Sequence, residues 1–328
     1  MKTVVYSCPY VPAEWIAAHG LHPSRIVPKR ASAAGPAGPI EGVCPYVRAF
    51  VNEVIVGAGT SAVVVTTVCD QMRRAFDIIA RRTNIPAFLM NIPSTWQHAG
   101  PCRLYLEELR RLGRFLVQLG GKAPSKQSLA QTMLVYDRTR MNLLHSRRQL
   151  SARQFCEAIA RFNSEGKFRT SDKINNNRPA NAIPLAILGG PLFAADYELF
   201  DMVEEGGARV VLDATETGER GMPARFDRRR LQEDPLTELA EAYFGGIVNV
   251  ADRPNDRLYN WLQRELLARQ VRGIVFRRYV WCDLWHAELY RLKRWAAVPV
   301  LDIDVGGDAR QLSGRVTSRV SAFLETLR

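Results

Sequence analysis

The sequence predicts an α/β protein made of two Rossmann-like domains with parallel sheets. Three observations lead to this prediction. Short β-branched runs alternate with segments of helical periodicity, each half opens with strand, helix and strand, and one four-part pattern occurs once in each half. Alternating strands and helices give parallel sheets joined by right-handed crossovers. We expect the domains at residues 1–170, which include a helical extension, and at residues 182–328.

The opening unit of each half is a strand, a helix with glycine at its end, and a second strand. Glycine at a helix end is the usual left-handed cap. In the first half the pattern predicts these elements at residues 4–6, 12–19 and 25–27. In the second half it predicts them at residues 185–188, 194–205 and 210–212.

The repeated pattern is a buried strand, a Cys-Asp dipeptide, a helix, and a second strand that follows a proline. The strands at residues 63–66 and 273–276 lead to Cys69-Asp70 and Cys282-Asp283. In both halves the proline lies 17 residues after the cysteine. Ligands of open parallel sheets bind beyond the carboxyl ends of the strands. The two thiols therefore meet if the domains face each other.

Residues 101–168 predict a helical segment that connects the two domains. Its leucines repeat at helical spacing, which is typical of a helix that packs on a core. The apolar face comprises Tyr105, Leu109, Leu112, Leu116 and Leu119. Residues 170–181, rich in asparagine and charge, are the expected linker.

Composition restricts the class of protein. The 328 residues are 47% hydrophobic and 24% charged, which is typical of a globular protein. No apolar run reaches the roughly 20 residues that span a bilayer, and the first residues read as a strand instead of a secretion signal. We expect a cytoplasmic protein without membrane segments. The six cysteines are then expected to be reduced.

The formal charge of +12 has three interpretations. A basic surface attracts nucleic acid, but no basic run and no aromatic-interleaved basic stripe occurs, so we expect no nucleic-acid partner. The excess of arginine is also consistent with a coding bias spread over helix faces. Finally, arginine forks suit the phosphates of an anionic substrate such as a coenzyme A thioester.

Three cysteines share one setting, the start of a helix. Cys69 and Cys282 follow strands, and Cys44 precedes Pro45, a favoured first helical residue. The positive end of a helix stabilises a thiolate or an anionic cluster. The trio is interpreted either as metal ligands or as buried structural thiols. Because no C-x-x-C pair occurs, a metal site would be assembled from distant segments.

Other motifs are weaker. His286 shares a helix face with Cys282, so a zinc site or a Cys–His nucleophile is conceivable, but no further partners are evident. Residues 120–123 lack the spacing and hydroxyl of a phosphate loop, so we expect no ATP site in this chain. No G-x-G-x-x-G follows either first strand.

A series of short motifs carries a resemblance to a known family, and their order and spacing extend over almost the whole chain. They are Pro12-Ala13-Glu14, His19-Gly20, Gly42-Val43-Cys44, Cys69-Asp70, Arg73-Arg74, Tyr105-Leu106-Glu107-Glu108-Leu109, Leu188-Gly189-Gly190-Pro191-Leu192, Gly207-Ala208-Arg209-Val210-Val211, Asp234-Pro235-Leu236, Ala240-Glu241-Ala242-Tyr243, Cys282-Asp283, Gly314-Arg315-Val316 and Ala322-Phe323-Leu324-Glu325. In these motifs the chain resembles the subunits of 2-hydroxyacyl-CoA dehydratases, a family that includes benzoyl-CoA reductase subunits and double-cubane cluster proteins.

The resemblance implies a 4Fe–4S cluster on Cys44, Cys69 and Cys282, in the cleft between the two domains. It implies an oxygen-sensitive, anaerobic lyase that works as a dimer, either of identical chains or with a paralogous subunit. It also implies an ATP-dependent 4Fe–4S activator protein that injects one electron. The substrate is then an acyl-CoA thioester, dehydrated through a ketyl radical.

The remaining cysteines bear on the type of cluster. Cys8 ends the first strand and is either a fourth cluster ligand or a buried free thiol, whereas Cys102 and Cys156 lie in helical stretches. Cys8 resembles one of the extra cysteines of double-cubane relatives, but residues 245–248 offer none, so the resemblance implies a single cubane. Four thiolates would favour a low-potential reductase or an electron-relay subunit over a dehydratase. Glu14 is a possible proton-handling residue, or a buried carboxylate at a helix start.

Overall fold

The computed structural model describes residues 1–30, 40–57, 59–168, 181–306 and 313–328. Within these ranges the chain forms two four-stranded sheets in which every strand pair is parallel. In the described part of the chain, no helix combines the length and the apolar character needed to cross a membrane.

The first sheet has the strand order β2-β1-β3-β4. Its central strand β3 is a run of valines and threonines that is buried on both faces, as expected of a parallel strand covered by helices. The strands are β1 (Thr3–Tyr6), β2 (His22–Arg25), β3 (Thr60–Thr66) and β4 (Ala87–Met90).

The second sheet repeats this topology with the order β6-β5-β7-β8. Its strand β7 is buried at every position, even where it carries arginines. The strands are β5 (Ile183–Gly189), β6 (Ala208–Ala214), β7 (Gly273–Tyr279) and β8 (Val300–Val305). The duplication predicted from the sequence is therefore confirmed at the level of strand order.

Helices connect the strands and cover both sheets. In the first half they are α1 (Ala13–Ala18), α2 (Pro45–Val56), α3 (Asp70–Arg82), α4 (Ala99–Gln118), α5 (Lys126–His145) and α6 (Ala152–Glu165). In the second half they are α7 (Glu198–Glu205), α8 (Arg228–Glu233), α9 (Pro235–Ala240), α10 (Asp256–Ala268), α11 (Asp283–Trp295) and α12 (Ser313–Thr326).

Most predicted elements agree with the structure, with two differences. The strand predicted at residues 25–27 is observed as His22–Arg25, because β1 ends at Tyr6, opposite Arg25, and leaves later residues without a strand to pair with. The helix predicted at residues 194–205 begins with a 3₁₀ turn, Ala194–Tyr197. The predicted linker lies outside the described residues except for Asn181.

The predicted helical segment is confirmed as α4, α5 and α6. Local sequence explains where α6 begins and ends. Ser151 and Gln154 form a reciprocal capping box at its start, and Gly166 ends it with a φ of 67°. Tyr105 and Leu109 of α4 are fully buried, as their spacing predicted.

The two halves share a hydrophobic core. Residues 226–247 follow β6 in sequence, but their apolar side chains pack with those of β1, α1 and α4. The ring of Phe244 stacks on Tyr105 with centroids 5.5 Å apart, and Tyr10 donates a hydrogen bond to the carbonyl of Ile247. The division at residues 170–182 remains a prediction, since in space the second half completes the core of the first.

Candidate metal centre

A cavity of about 240 Å³ lies between the two halves. Four of the six cysteines line it: Cys8, Cys44, Cys69 and Cys282. Loops that follow strands of both sheets and the first turns of three helices supply the rest of its wall, which is largely apolar and includes Val47, Met72, Val250 and Trp285. The cavity therefore lies beyond the carboxyl ends of the strands, where open parallel sheets bind ligands.

Cys69 and Cys282 occupy equivalent positions in the two sheets. Each lies three residues beyond the end of its strand, β3 or β7, and immediately precedes a helix, α3 or α11. The carbonyl of Cys282 accepts the backbone N–H of His286 at 2.9 Å, which fixes it to the first turn of α11. The internal duplication thus places one thiol from each half on the same cavity.

Cys44 reaches this cavity because the first turns of α3 hold its loop. The backbone N–H of Cys44 donates to Oε1 of Gln71 at 2.7 Å, and Nη1 of Arg74 donates to the carbonyl of Gly42 at 2.7 Å. Gly42 has a φ of 69°, which favours glycine. Pro45 then begins α2. Cys44 and Cys69 are consequently held by the same helix.

Cys8 lies two residues beyond the end of β1 and, like Cys44, is buried, whereas Cys69 and Cys282 are partly exposed. Its neighbour Ser7 shares a hydrogen bond of 3.0 Å with the hydroxyl of Tyr46 on α2. Nε of Arg25 donates to the carbonyl of Ser7 at 2.6 Å. The loop that carries Cys8 is therefore fixed to both neighbouring elements.

Burial raises the pKa of all four thiols, because a thiolate loses solvation in the apolar cavity. The pKa values of Cys8 and Cys282 rise to about 12. Backbone amides in the first helical turns act in the opposite direction on Cys44, Cys69 and Cys282. Without a cationic group the thiols are therefore protonated at neutral pH.

The cysteines also influence one another electrostatically. Cys44 and Cys282 both raise the pKa of Cys69, and Cys44 raises that of Cys282.

In the described ranges no group of three or more His, Cys, Asp or Glu side chains is placed to hold a single metal ion. A single ion needs every ligand within about 2.3 Å of one point. The cavity, at about 240 Å³, is larger than a single ion needs.

These features fit a multi-iron group better than a single ion. Iron–sulfur clusters are held by cysteine thiolates, and different irons of one cluster take different ligands. Three thiols from three helix starts, around an apolar cavity wider than one ion needs, match that donor set. Cys44, Cys69 and Cys282 would hold such a cluster, and Cys8 lines the same cavity.

The other predicted residues lie elsewhere. Glu14 does not line the cavity; it is fully buried, paired with Arg140, and accepts a hydrogen bond of 2.5 Å from Tyr243. Sγ of Cys156 lies 3.0 Å from a carboxylate oxygen of Asp213, away from the cavity. The contacts with Arg140 and Tyr243 explain the burial of Glu14. Its role in proton handling stays a prediction.

Cys102 and His286 also lie outside the cavity lining. Cys102 is half-buried on α4. The ring of His286 lies 3.0 Å from Nη1 of Arg278, so it is engaged away from Cys282. A Cys–His nucleophile built on Cys282 has no support from this geometry.

Sequence reasoning missed one acidic residue of the cavity, Glu216. It lies in the loop after β6, two residues beyond the strand end at Ala214. The rule that selected Cys69 and Cys282, a polar residue just after the carboxyl end of a strand, also selects Glu216. Gln71, which fixes Cys44, was missed because its role depends on a loop that is distant in sequence.

Comparison with known proteins agrees with the resemblance seen in the sequence. The model of one protein family, described as 2-hydroxyglutaryl-CoA dehydratase, D-component, matches residues 8–327. No curated protein matches the chain. The match covers nearly the whole chain and both sheets, so the chain belongs to the 2-hydroxyglutaryl-CoA dehydratase D-component family.

Proposed function

We propose that this chain is the iron–sulfur subunit of a 2-hydroxyacyl-CoA dehydratase-type lyase. A 4Fe–4S cluster on Cys44, Cys69 and Cys282 would remove water from an acyl-CoA thioester by radical chemistry. The observation that carries the proposal is the convergence of these three thiols on one cavity between the two sheets. Membership of a dehydratase family supports the reaction class.

The cavity contributes binding, exclusion of water and fixed ligand positions. Three helix starts direct backbone amides toward an anionic group, which favours a thiolate-bound cluster. The apolar wall, including Met72 and Trp285, keeps bulk water from a reactive centre. When bound, the cluster supplies one-electron chemistry and a Lewis-acidic iron.

The remaining partners follow from the same proposal. The chain has no phosphate loop of its own. We therefore propose that an ATP-dependent 4Fe–4S activator protein supplies the electron, and that the chain acts as a dimer with itself or with a paralogous subunit. A cytoplasmic, anaerobic setting would keep the thiols reduced.

Anaerobic purification followed by iron and sulfide analysis tests the proposal. We expect about four irons and four sulfides per chain, as for one 4Fe–4S cluster. Serine in place of Cys44, Cys69 or Cys282 should each abolish the brown colour and most of the iron. Cys102→Ser, outside the cavity, is the matched control and should retain the cluster. An iron-free wild-type protein under these conditions would refute the proposal.

A second function is favoured by one observation, the presence of Cys8 in the same cavity. If Cys8 closes the cluster as a fourth thiolate, no iron is left open to substrate. The chain would then act as a low-potential reductase or an electron-relay subunit of the benzoyl-CoA reductase or double-cubane type. Loss of cluster in Cys8→Ser, as in the Cys69 variant, would favour this alternative.

A further inference from the structure

Asn249 carries an unused hydrogen-bond donor in the wall of the cavity. The residue lies in the loop between α9 and α10, is only 1% exposed, and lines the cavity together with the four cysteines. Within the described residues, Nδ2 of its side-chain amide has no hydrogen-bond partner. Native proteins pair nearly all buried donors, because an unpaired one is costly. An unpaired donor in a cavity wall therefore indicates a ligand that supplies the missing acceptor.

The other half of the amide fixes its orientation. Oδ1 of Asn249 accepts the backbone N–H of Ala251 at 2.9 Å. The backbone N–H of Asn249 donates to Oδ2 of Asp252 at 3.1 Å, and the hydroxyl of Tyr10, from the first half, donates to Oδ1 of Asp252 at 3.4 Å. Exchanging the amide oxygen and nitrogen would set two donors against each other at Ala251. The free group of Asn249 is consequently the N–H donor, and its ligand must be an acceptor.

Asn249 lies between the cavity of the thiols and a smaller cavity of about 30 Å³. The two cavities share Thr67, Val68 and Asn249 in their walls. The smaller cavity extends to the exposed Ser94, and of the described residues that line it none is a cysteine. The donor of Asn249 therefore lies on the side of the thiol cavity that leads toward the surface, where a ligand would enter.

Charge indicates which acceptor fits. Asp70, Glu216 and Asp283 line the same cavity, so a further anionic group would be repelled. A neutral carbonyl oxygen avoids this repulsion, and the largely apolar wall suits the chain attached to it. Thr66 brings a second buried hydroxyl to the wall, but a hydroxyl rotates and both donates and accepts, so it does not define the ligand. The fixed amide of Asn249 does.

We propose that Nδ2 of Asn249 binds the thioester carbonyl oxygen of the acyl substrate. This inference rests on the proposed function and deepens it by naming a substrate-binding residue. In that reaction one electron from the activator enters the C=O bond and leaves negative charge on this oxygen. Hydroxide then leaves carbon 2, the proton on carbon 3 is lost and the electron is returned, so the net change is loss of water. A fixed amide N–H stabilises the charge as it develops on the oxygen.

The test measures binding by calorimetry on anaerobically purified full-length protein, without reductant, so that no turnover occurs. The two probes are 2-hydroxybutyryl-CoA and its thioether counterpart, in which CH₂ replaces the carbonyl. The wild type should prefer the thioester about 10-fold, and Asn249→Ala and Asn249→Asp should lose this preference. Asn249→Asp keeps the acceptor for Ala251 and removes only the donor. Asn260→Asp, exposed on α10, is the matched charge control and should behave as the wild type.

Iron analysis and the cluster's reduction potential separate the possible failures. We expect wild-type iron content in both Asn249 variants. A wild type that binds the two probes equally or binds neither, or an unchanged preference in both variants, would overturn this inference and leave the cluster intact. An altered reduction potential of the substrate-free cluster in Asn249→Ala, with the preference retained, would assign Nδ2 to a cluster sulfur and also overturn it. A wild-type protein without iron would instead refute the proposed function.

Discussion

The two halves share a strand order but contribute differently to the cavity. The first half supplies Cys8, Cys44 and Cys69, whereas the second supplies Cys282 and Glu216. Among the equivalent positions that line the cavity, only the helix start after the third strand of each half has a cysteine in both halves, Cys69 and Cys282. The comparison teaches that a duplicated fold has produced a one-sided cavity, to which the first half contributes three cysteines and the second half one.

The departures from symmetry are specific. Two residues beyond the first strand, the first half has Cys8 and the second has Pro191, and both line the cavity. Before the helix that precedes the third strand, the first half has Cys44 and the second has Asn255. Asn255 is buried and donates to Glu288 at 2.6 Å, so the second half uses this position for structure.

The largest expected effect contrasts two carboxylates, Glu14 of the first half and Glu216 of the second. Glu14→Ala removes the nearer carboxylate of the buried Arg140 and leaves it only the longer ion pair with Asp137 at 3.7 Å, which should lower the free energy of unfolding by about 3–5 kcal/mol. Glu216→Ala removes no described partner and should leave stability within about 0.5 kcal/mol. Urea unfolding of the iron-free proteins measures both. Full stability in Glu14→Ala would show that its carboxylate is free for proton handling.

A second comparison concerns the two arginines that fix the cavity loops. Arg220 is almost fully buried and donates to three carbonyls of the second half, whereas Arg25 donates to two and bridges the halves. Arg220→Ala should therefore be destabilising by about 3 kcal/mol, since each buried unsatisfied carbonyl costs about 1–3 kcal/mol. Arg25→Ala should cost less. The reverse order in chemical denaturation would contradict this assignment.

The equivalent helix starts at Cys44 and Asn255 give a third test. We expect one substitution to affect mainly iron content and the other mainly stability. Asn255→Ala should lower the free energy of unfolding by about 1–3 kcal/mol, because Glu288 loses a buried donor, yet retain iron. Cys44→Ala should lose the cluster with a smaller effect on iron-free stability. Iron analysis and chemical denaturation of both variants are the measurements. Loss of iron in Asn255→Ala, or an intact cluster in Cys44→Ala, would contradict this assignment.

The smallest expected effect concerns the residues at which the first helix of each half ends. These are His19-Gly20 in the first half and Gly206-Gly207 in the second. Burial lowers the pKa of His19 below its ordinary 6.5, and its Nδ1 lies 2.8 Å from the carbonyl of Trp15. As the pH falls below 6.5, the unfolded chain takes up a proton that the folded protein refuses, so stability decreases toward the folded pKa. This decrease should be weaker in His19→Gln, measured by denaturation between pH 7 and 5. If stability decreased equally with pH in the wild type and in His19→Gln, His19 would be charged in the folded state.

Much of the fold could be predicted because the signals are local. The valine run of β3, the helical spacing after Cys69 and the Cys-Asp junctions lie within short segments whose periodicity reports burial. The end of β2 was misplaced because a strand ends where its partner ends, which is a property of two segments. The packing of residues 226–247 on the first half depends on tertiary contacts.

The site divides in the same way. The sequence by itself determined which thiols begin helices and that two of them occupy equivalent junctions, since both properties follow from strand–helix order. Only the tertiary structure decided that Cys8 joins them, that Gln71 fixes Cys44, and that Glu216 faces the thiols while Glu14 pairs with Arg140. The physical reason is that a carboxylate has the same sequence signature whether it neutralises a buried arginine or lies unpaired in a cavity. Its surroundings distinguish the two cases, and they come from segments up to about 200 residues away in the chain.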